Sequence, residues 1–278
     1  ISEGLSVYYE YIVVKRAGIT TDTELLNALR GNIVAFENKP GKRFQTLEQA
    51  SYETWSDGPF GRTGDEVNKT ISYYDKGPAV GILFDFKIRQ ISNNKKSLDD
   101  VMRFLYKEYY QKKKRGFTEQ ELRNAFENVA GGSLAEEFEY ITSTKELNYP
   151  AYFSYAGLSI DTATQVLPAA HAGFTIRERE DTAFIANVDF ESPAWNRGIR
   201  RGQHLVSING EKATASSYNN ILAGARPGDK IGLSVSINNV VTEIEIVLIN
   251  KTEKAFKITP AENPDPLQKQ ILEGWLKG

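Results

Sequence analysis

A carboxylate, Glu3 in "ISEGLSVYY", and a phenol, Tyr74 in "SYYDKGPAVGILFD", are the side chains whose surroundings could carry a reaction. Singly, each has an ordinary explanation. An acid in the first turn of a helix is favoured by the helix dipole. A tyrosine is most often a packed aromatic with a satisfied hydroxyl. Hydrolysis at a carbonyl near neutral pH asks for more: a strong nucleophile, a base to take its proton, and a donor aimed at the developing oxyanion. A tyrosine hydroxyl can supply that donor. A thiol nucleophile is excluded because the chain has no Cys, which also excludes disulfides and thiolate ligands. The two histidines, His171 and His204, lie in the second half, and neither has a His four residues on. His204 falls in a predicted strand and reads as packed or edge-exposed. His171 reads as a solvated loop residue.

Together, the two stretches are more specific. "ISEGLSVYY" resembles the W-φ-S/N-E-G-φ-x-x-Y-φ stretch of gluzincin metallopeptidases, and "SYYDKG" resembles their Y-E-K-G stretch, with Asp75 in place of the motif's Glu. The resemblance implies that Glu3 is the third protein ligand of a catalytic zinc. It implies that Tyr74, facing it from the loop before the next helix, donates a hydrogen bond to the tetrahedral intermediate. Zinc held by two His and one Glu leaves a position for water and lowers its pKa to ~7. The sequence contains no H-E-x-x-H, the motif that supplies the two His.

These residues must be positioned by helices. Residues 1–148 read as helices, and the resemblance implies that they are the all-α part of a thermolysin-like catalytic domain. Leu5, Tyr8, Tyr9, Ile12 and Val13 recur at helical spacing, with Gly18 at the stop. Asp22 and Thr46 can cap the next two helices. A helix is expected over 76–91, with Pro78 in its first turn. "SLDD" (97–100), "TEQE" (118–121) and "SLAE" (133–136) read as capping boxes. "KKKR" (112–115) reads as the solvated end of a helix, and "FGRTGDE" (60–66) as a surface loop; Asp57 and Asp65 suggest no partner.

Past Pro150, short β-branched and aromatic runs alternate with turn signals, of which Asn209–Gly210 is the strongest and Asn238–Asn239 a second. "VDFESPAWNRGIRRGQHLVSINGEKA" (188–213) resembles the PDZ signature, with Arg197 and Gln203 replacing its usual Ala and Asp. The resemblance implies a small β-barrel with two helices over 149–255. Such a domain takes an extended peptide as an added strand and holds its terminal carboxylate on loop amides. The loop would be His171 to Phe174, where Gly173 lets amides converge on an anion. Phe174, Thr175 and Ile176 would lie on the receiving strand, faced by Tyr218, Ile221 and Leu222 from a helix. Residues 256–278 read as a tail helix carrying Leu267, Ile271 and Trp275.

A gluzincin catalytic domain followed by a PDZ domain is the arrangement of the glycyl aminopeptidase family, which the chain resembles as a whole. In that family the His pair precedes the Glu. The expectation is therefore the C-terminal part of a zinc aminopeptidase, acting on peptide or protein substrates, with a C-terminal peptide as possible PDZ ligand. The chain alone is expected neither to hold catalytic zinc nor to hydrolyse peptides. A non-catalytic peptide-binding scaffold and an endopeptidase whose PDZ domain recruits substrate C-termini are the alternatives. Bulk properties agree with two ordinary domains: 278 residues, 40% hydrophobic. A net charge of -2 lacks the basic excess of a nucleic-acid binder. No apolar run approaches the ~18 residues a membrane span needs. The absence of Cys does not choose a compartment.

Overall fold

The computed structural model describes residues 2–55 and 68–278. The segment containing Asp57, Asp65 and "FGRTGDE" lies outside them. The described residues form two compact units, one of 2–55, 71–163 and 255–278, the other of 68–70 and 164–254.

The first unit is helical. α1 (Ser2–Arg16) turns Leu5, Tyr8 and Ile12 inward and stops before Gly18, whose φ of 75° suits glycine. α2 (Asp22–Glu37) follows. Its cap is Thr21 rather than Asp22, because Glu24 at the third position completes a capping box with Thr21. α3 (Leu47–Tyr52) is capped by Thr46, as its sequence predicts. α4 (Tyr73–Ile91) is the central helix. From Lys76 to Phe86 every residue is buried, so it is enclosed on all sides instead of presenting one face. α5 (Leu98–Leu105) continues as a π-helical turn, Tyr106–Lys113, which ends at Lys114 in a left-handed conformation. The basic run there is exposed at the helix end, as its sequence predicts, and makes surface contacts. Lys113 lies 4.4 Å over the Tyr109 ring, and Arg115 pairs with Glu121 at 2.7 Å. α6 (Glu119–Ala130) carries its predicted Thr118–Glu121 box. α7 (Ala135–Thr142) lacks the predicted one. Glu127, reaching from α6, accepts from the Leu134 amide and leaves the Ser133–Glu136 pair unmade.

The unit also holds what the sequence reading gave to other domains. α8 (Tyr149–Tyr155) buries Tyr149, Tyr152 and Phe153 in the helical core, and the Tyr152 hydroxyl donates to buried Glu137 at 2.6 Å. β1 (Leu158–Asp161) pairs antiparallel with β10 (Lys257–Pro260), which brings the chain back into this unit. α11 (Pro266–Lys277) then inserts Ile271 and Trp275 into the same core. A boundary at 148/149 therefore cuts through one hydrophobic cluster, and the tail helix over 256–278 docks on the helical unit. Polar bonds fix this last helix. Trp275 Nε1 donates to the Tyr8 hydroxyl (2.8 Å), which donates to Asp85 Oδ2 (2.7 Å). Asp85 Oδ1 accepts from Arg89 Nε and the Leu98 amide, both at 3.0 Å.

The second unit is built on sheets. β2 (Thr164–His171) pairs with β9 (Ile249–Lys254) alone. β3 (Phe174–Arg179), β4 (Thr182–Val188), β5 (His204–Ile208), β7 (Lys230–Ile237) and β8 (Val240–Val247) lie side by side in that order, and the short β6 (Glu211–Lys212) pairs on β5. α9 (Pro193–Asn196) and α10 (Ala215–Gly224) are the two expected helices. The expected barrel does not close among the described residues. β2 and β9 satisfy each other's backbone as a separate ribbon and leave the larger sheet open-edged. Both hairpin dipeptides adopt positive φ at both residues, 51° and 84° at Asn209–Gly210, 50° and 65° at Asn238–Asn239. The core is a second cluster that includes Phe174, Ile185, Leu205, Leu233 and Val235. His204 stands in β5 against the Phe184 ring, 5.7 Å away. His171 is the last residue of β2 and not a solvated loop residue; its Nε2 is 2.7 Å from Asp189 Oδ2.

Candidate functional site

At the start of the helical unit, backbone packing brings Glu3 and Tyr74 together. The glycine in each of their motifs is at the crossing of α1 and α4. A Cβ on Gly4 would stand 2.6 Å from the Gly77 Cα, and one on Gly77 would strike Gly4 in return. Only a pair of glycines allows two helix backbones to approach so closely. One residue before Gly4 is Glu3, and three before Gly77 is Tyr74. The crossing therefore sets these side chains face to face, and the hydroxyls of Tyr74 and Tyr73 lie beside the Glu3 carboxylate and favour its charged form. Gly81, one turn on, meets Leu5 and Tyr8 and extends the contact.

The electrostatics follow from that contact. The Tyr74 hydroxyl, and after it that of Tyr73, holds the Glu3 carboxyl below its ordinary range, so exposed Glu3 is ionised at neutral pH. The neighbouring Glu3 carboxylate in turn pushes the Tyr74 hydroxyl well above its ordinary value and keeps its proton. Tyr74 is about half exposed, and its ring lies 4.5 Å from that of Tyr73.

Tyr74 does not stand in a loop. It is in the first turn of α4, which begins at Tyr73 under the Ser72 cap, three residues before the predicted start. Pro78 is therefore inside the helix. Having no N–H, it leaves the Tyr74 carbonyl without its partner four residues on. Asn32 on α2 takes that place, donating from Nδ2 at 3.0 Å. Asp75, the departure from the motif's Glu, pairs with Lys39 at 2.8 Å. Lys76 points inward. Burial pulls its ammonium down to about 8, and it rests on the Ser143 carbonyl (3.2 Å) and the Phe36 ring (5.4 Å). Tyr73, Asn32 and the glycine pair were missed in the sequence reading. The repeated Tyr at 73–74 and the Gly in both motifs were the signals available.

Among the described residues no three His, Asp or Glu side chains gather into a metal cluster. Glu3 is a single carboxylate. Its exposure, its ionisation and two hydroxyls orienting it nevertheless suit a metal ligand with outer hydrogen-bond partners.

In the second unit the six groove residues of the sequence reading come together around one sheet edge. Phe174, Thr175 and Ile176 lie on β3, the terminal strand of its sheet, whose outer edge bears no strand among the described residues. Gly173 precedes them with φ 83°, and a Cβ there would strike Ser192. The Ser192 hydroxyl and the Asp189 amide both donate to the Gly173 carbonyl. Tyr218 and Leu222 lie on α10; Tyr218 is buried and Leu222 half-buried. Gln203, in place of the signature's Asp, accepts from the Arg200 amide, and the Arg200 guanidinium stacks 3.9 Å over Trp195.

Residues 1–80 match the family model of the M61 glycyl aminopeptidases, and residues 171–248 match that of the PDZ domain. The helical unit thus contains a segment similar to the M61 glycyl aminopeptidases, and the second unit a segment similar to PDZ domains. Among solved structures, an aminopeptidase N family protein from Idiomarina loihiensis aligns over 99% of the chain with a TM-score of 0.80 at 19% identity, a likeness of fold. The chain spans about half of that protein, 48% of its length. An HtrA-type protease with a decapeptide aligns over 36% of this chain and 32% of its own, at 18% identity and a TM-score of 0.29. Among curated proteins none matches. The M61 match ends just past Gly77, so it contains Glu3, Tyr74 and both crossing glycines. The PDZ match opens at His171 and includes the whole of β3 and α10.

Proposed function

We propose that this chain forms part of a zinc-dependent, aminopeptidase-like metallopeptidase, with Glu3 as a metal ligand, Tyr74 as the oxyanion donor and the PDZ domain as a peptide-binding module. The observation that carries the reading is the Glu3–Tyr74 contact across the Gly4–Gly77 crossing, inside the segment that matches the M61 family. The two imidazole ligands are not in this sequence and would come from outside it. When bound, zinc supplies an activated water near neutral pH.

The chain's own residues have narrower tasks. Glu3 presents an ionised carboxylate, held in place by Tyr73 and Tyr74. The Tyr74 hydroxyl, its proton secured, turns from the Glu3 carboxylate to the substrate oxygen as negative charge gathers there. That turn is a side-chain rotation alone, because Asn32 and the glycine crossing fix the backbone beneath it. Tyr73 stays on Glu3 and keeps it oriented while Tyr74 is engaged.

The test is metal content. In the zinc enzyme that contains this chain, Glu3→Gln should lower zinc affinity at least ~10-fold without unfolding the helical unit. Unchanged zinc occupancy would remove Glu3 from the ligand set. Peptides with free and with blocked N-termini then separate an aminopeptidase, which cleaves only the free ones, from an endopeptidase.

A further inference from the structure

The PDZ domain carries its own occupant for the edge a peptide needs. In an extended strand successive carbonyls point to opposite sides. The Gly173 carbonyl points towards the β4 side, where the amide of Asp189, just past the end of β4, donates to it at 2.8 Å. The next carbonyl, that of Phe174, therefore points to the open edge of β3. An added peptide strand would place a backbone N–H on that oxygen. Here the Tyr218 hydroxyl is already on it, donating at 2.6 Å from the facing helix. The Tyr218 ring lies 4.7 Å from that of Phe174, and the side chain is 4% exposed. At the other end of the strand Glu178 accepts from the Ala215 amide at 2.5 Å, holding the start of α10 on β3. The helix is thus bonded to the receiving strand at both ends of the groove. Burial, with the Asp189 charge adding to it, raises the Tyr218 hydroxyl far above its ordinary value, so it remains a donor at any pH the protein meets.

We infer that Tyr218 is a gate on the peptide groove: its hydroxyl caps the Phe174 carbonyl, and a peptide binds only by displacing it. This inference rests on the peptide-binding reading of the domain. Binding then exchanges one hydrogen bond for another, so the first backbone contact of the peptide adds little net affinity. Ligands are selected by whether the rest of their contacts offset the displacement of a buried tyrosine.

Tyr218→Phe tests the gate with little risk to the fold, because it keeps the ring and removes only the hydroxyl. The probe is a pool of fluorescein-labelled heptapeptides with free carboxylates ending in Val, Leu, Phe or Ala, titrated with the full chain and followed by polarisation. Tyr218→Phe should bind about fivefold more tightly than the wild type, the value of one ordinary hydrogen bond. Amidated versions of the same peptides should gain as much from the substitution, because the freed carbonyl does not read the terminus. Equal or weaker binding by Tyr218→Phe would overturn the gate and leave peptide binding standing. Binding by neither protein would overturn the peptide-binding reading, and the gate with it.

Discussion

The two units put their functional groups in place by opposite means. In the helical unit the site consists of side chains, Glu3 and Tyr74, and the backbone is only their mount, pressed together where Gly4 meets Gly77. In the PDZ unit the site consists of backbone, the open edge of β3, and a side chain, Tyr218, decides access to it. A side-chain site is sensitive to the angle at which its helices cross. A backbone site tolerates changes in most of its side chains and is controlled by the few that bond to it. Substitutions in one unit should therefore fail in a different way from substitutions in the other.

The largest effect should come from Asp85, which joins Tyr8, Arg89 and the Leu98 amide in the helical core. Asp85→Ala leaves the Arg89 charge buried without its carboxylate. It should cost the helical unit about 3–5 kcal/mol in urea unfolding. The PDZ unit's transition, followed by its amide exchange, should not move. If both transitions fell together, the units would not be independent in stability and the contrast between them would break.

Gly77→Ala comes next. Its methyl has nowhere to go except into the Gly4 backbone, so α1 and α4 must part. A loss of about 1–3 kcal/mol is expected, with the Glu3–Tyr74 contact broken and peptide binding by the PDZ unit unaltered. Nuclear magnetic resonance of the two units would read both. An unchanged Tyr74 environment would show that the crossing does not set the site.

The smallest effect concerns Lys76, and it depends on pH. Its folded pKa of about 8 lies below its ordinary 10.5. Between these values the unfolded chain binds more protons than the folded one, so stability rises with pH across that window. Below about pH 8 both states are protonated and the burial cost is present in full. Lys76→Met should therefore be more stable than the wild type at pH 7, on the order of 1–2 kcal/mol, and the difference should shrink by pH 10. A gap that stays constant from pH 7 to pH 10 would show that Lys76 packs without titrating.

Much of this was legible in the sequence, and what was not has physical reasons. That Glu3 and Tyr74 would meet could be anticipated because their two motifs keep residue types at fixed spacing. β3 and α10 could be placed from the PDZ-like spacing. The Tyr218 bond could not, because nothing in a sequence says which buried hydroxyl will face which carbonyl. The start of α4 was missed because Pro78 signals a first turn, and its cost was met from another helix by Asn32. "YPAYFSY" and the tail belong to the helical core through partners distant in sequence, Tyr149 on Phe256, Phe153 on Phe86 and Trp275 on Phe86, which no local pattern marks. The Ser133–Glu136 box failed because Glu127 holds the Ser133 hydroxyl and the Leu134 amide, and the helix starts one residue later. In each case a tertiary partner outbid a local rule, and one-dimensional patterns do not record tertiary partners.

The claim on which the account depends is that Tyr74 serves a developing oxyanion. It is tested most directly by kcat for Tyr74→Phe, measured in the zinc-loaded enzyme that contains this chain. The account predicts a fall of about 10²–10³-fold, with zinc content and KM nearly unchanged. A kcat within a factor of about two of the wild type at equal zinc content would contradict it.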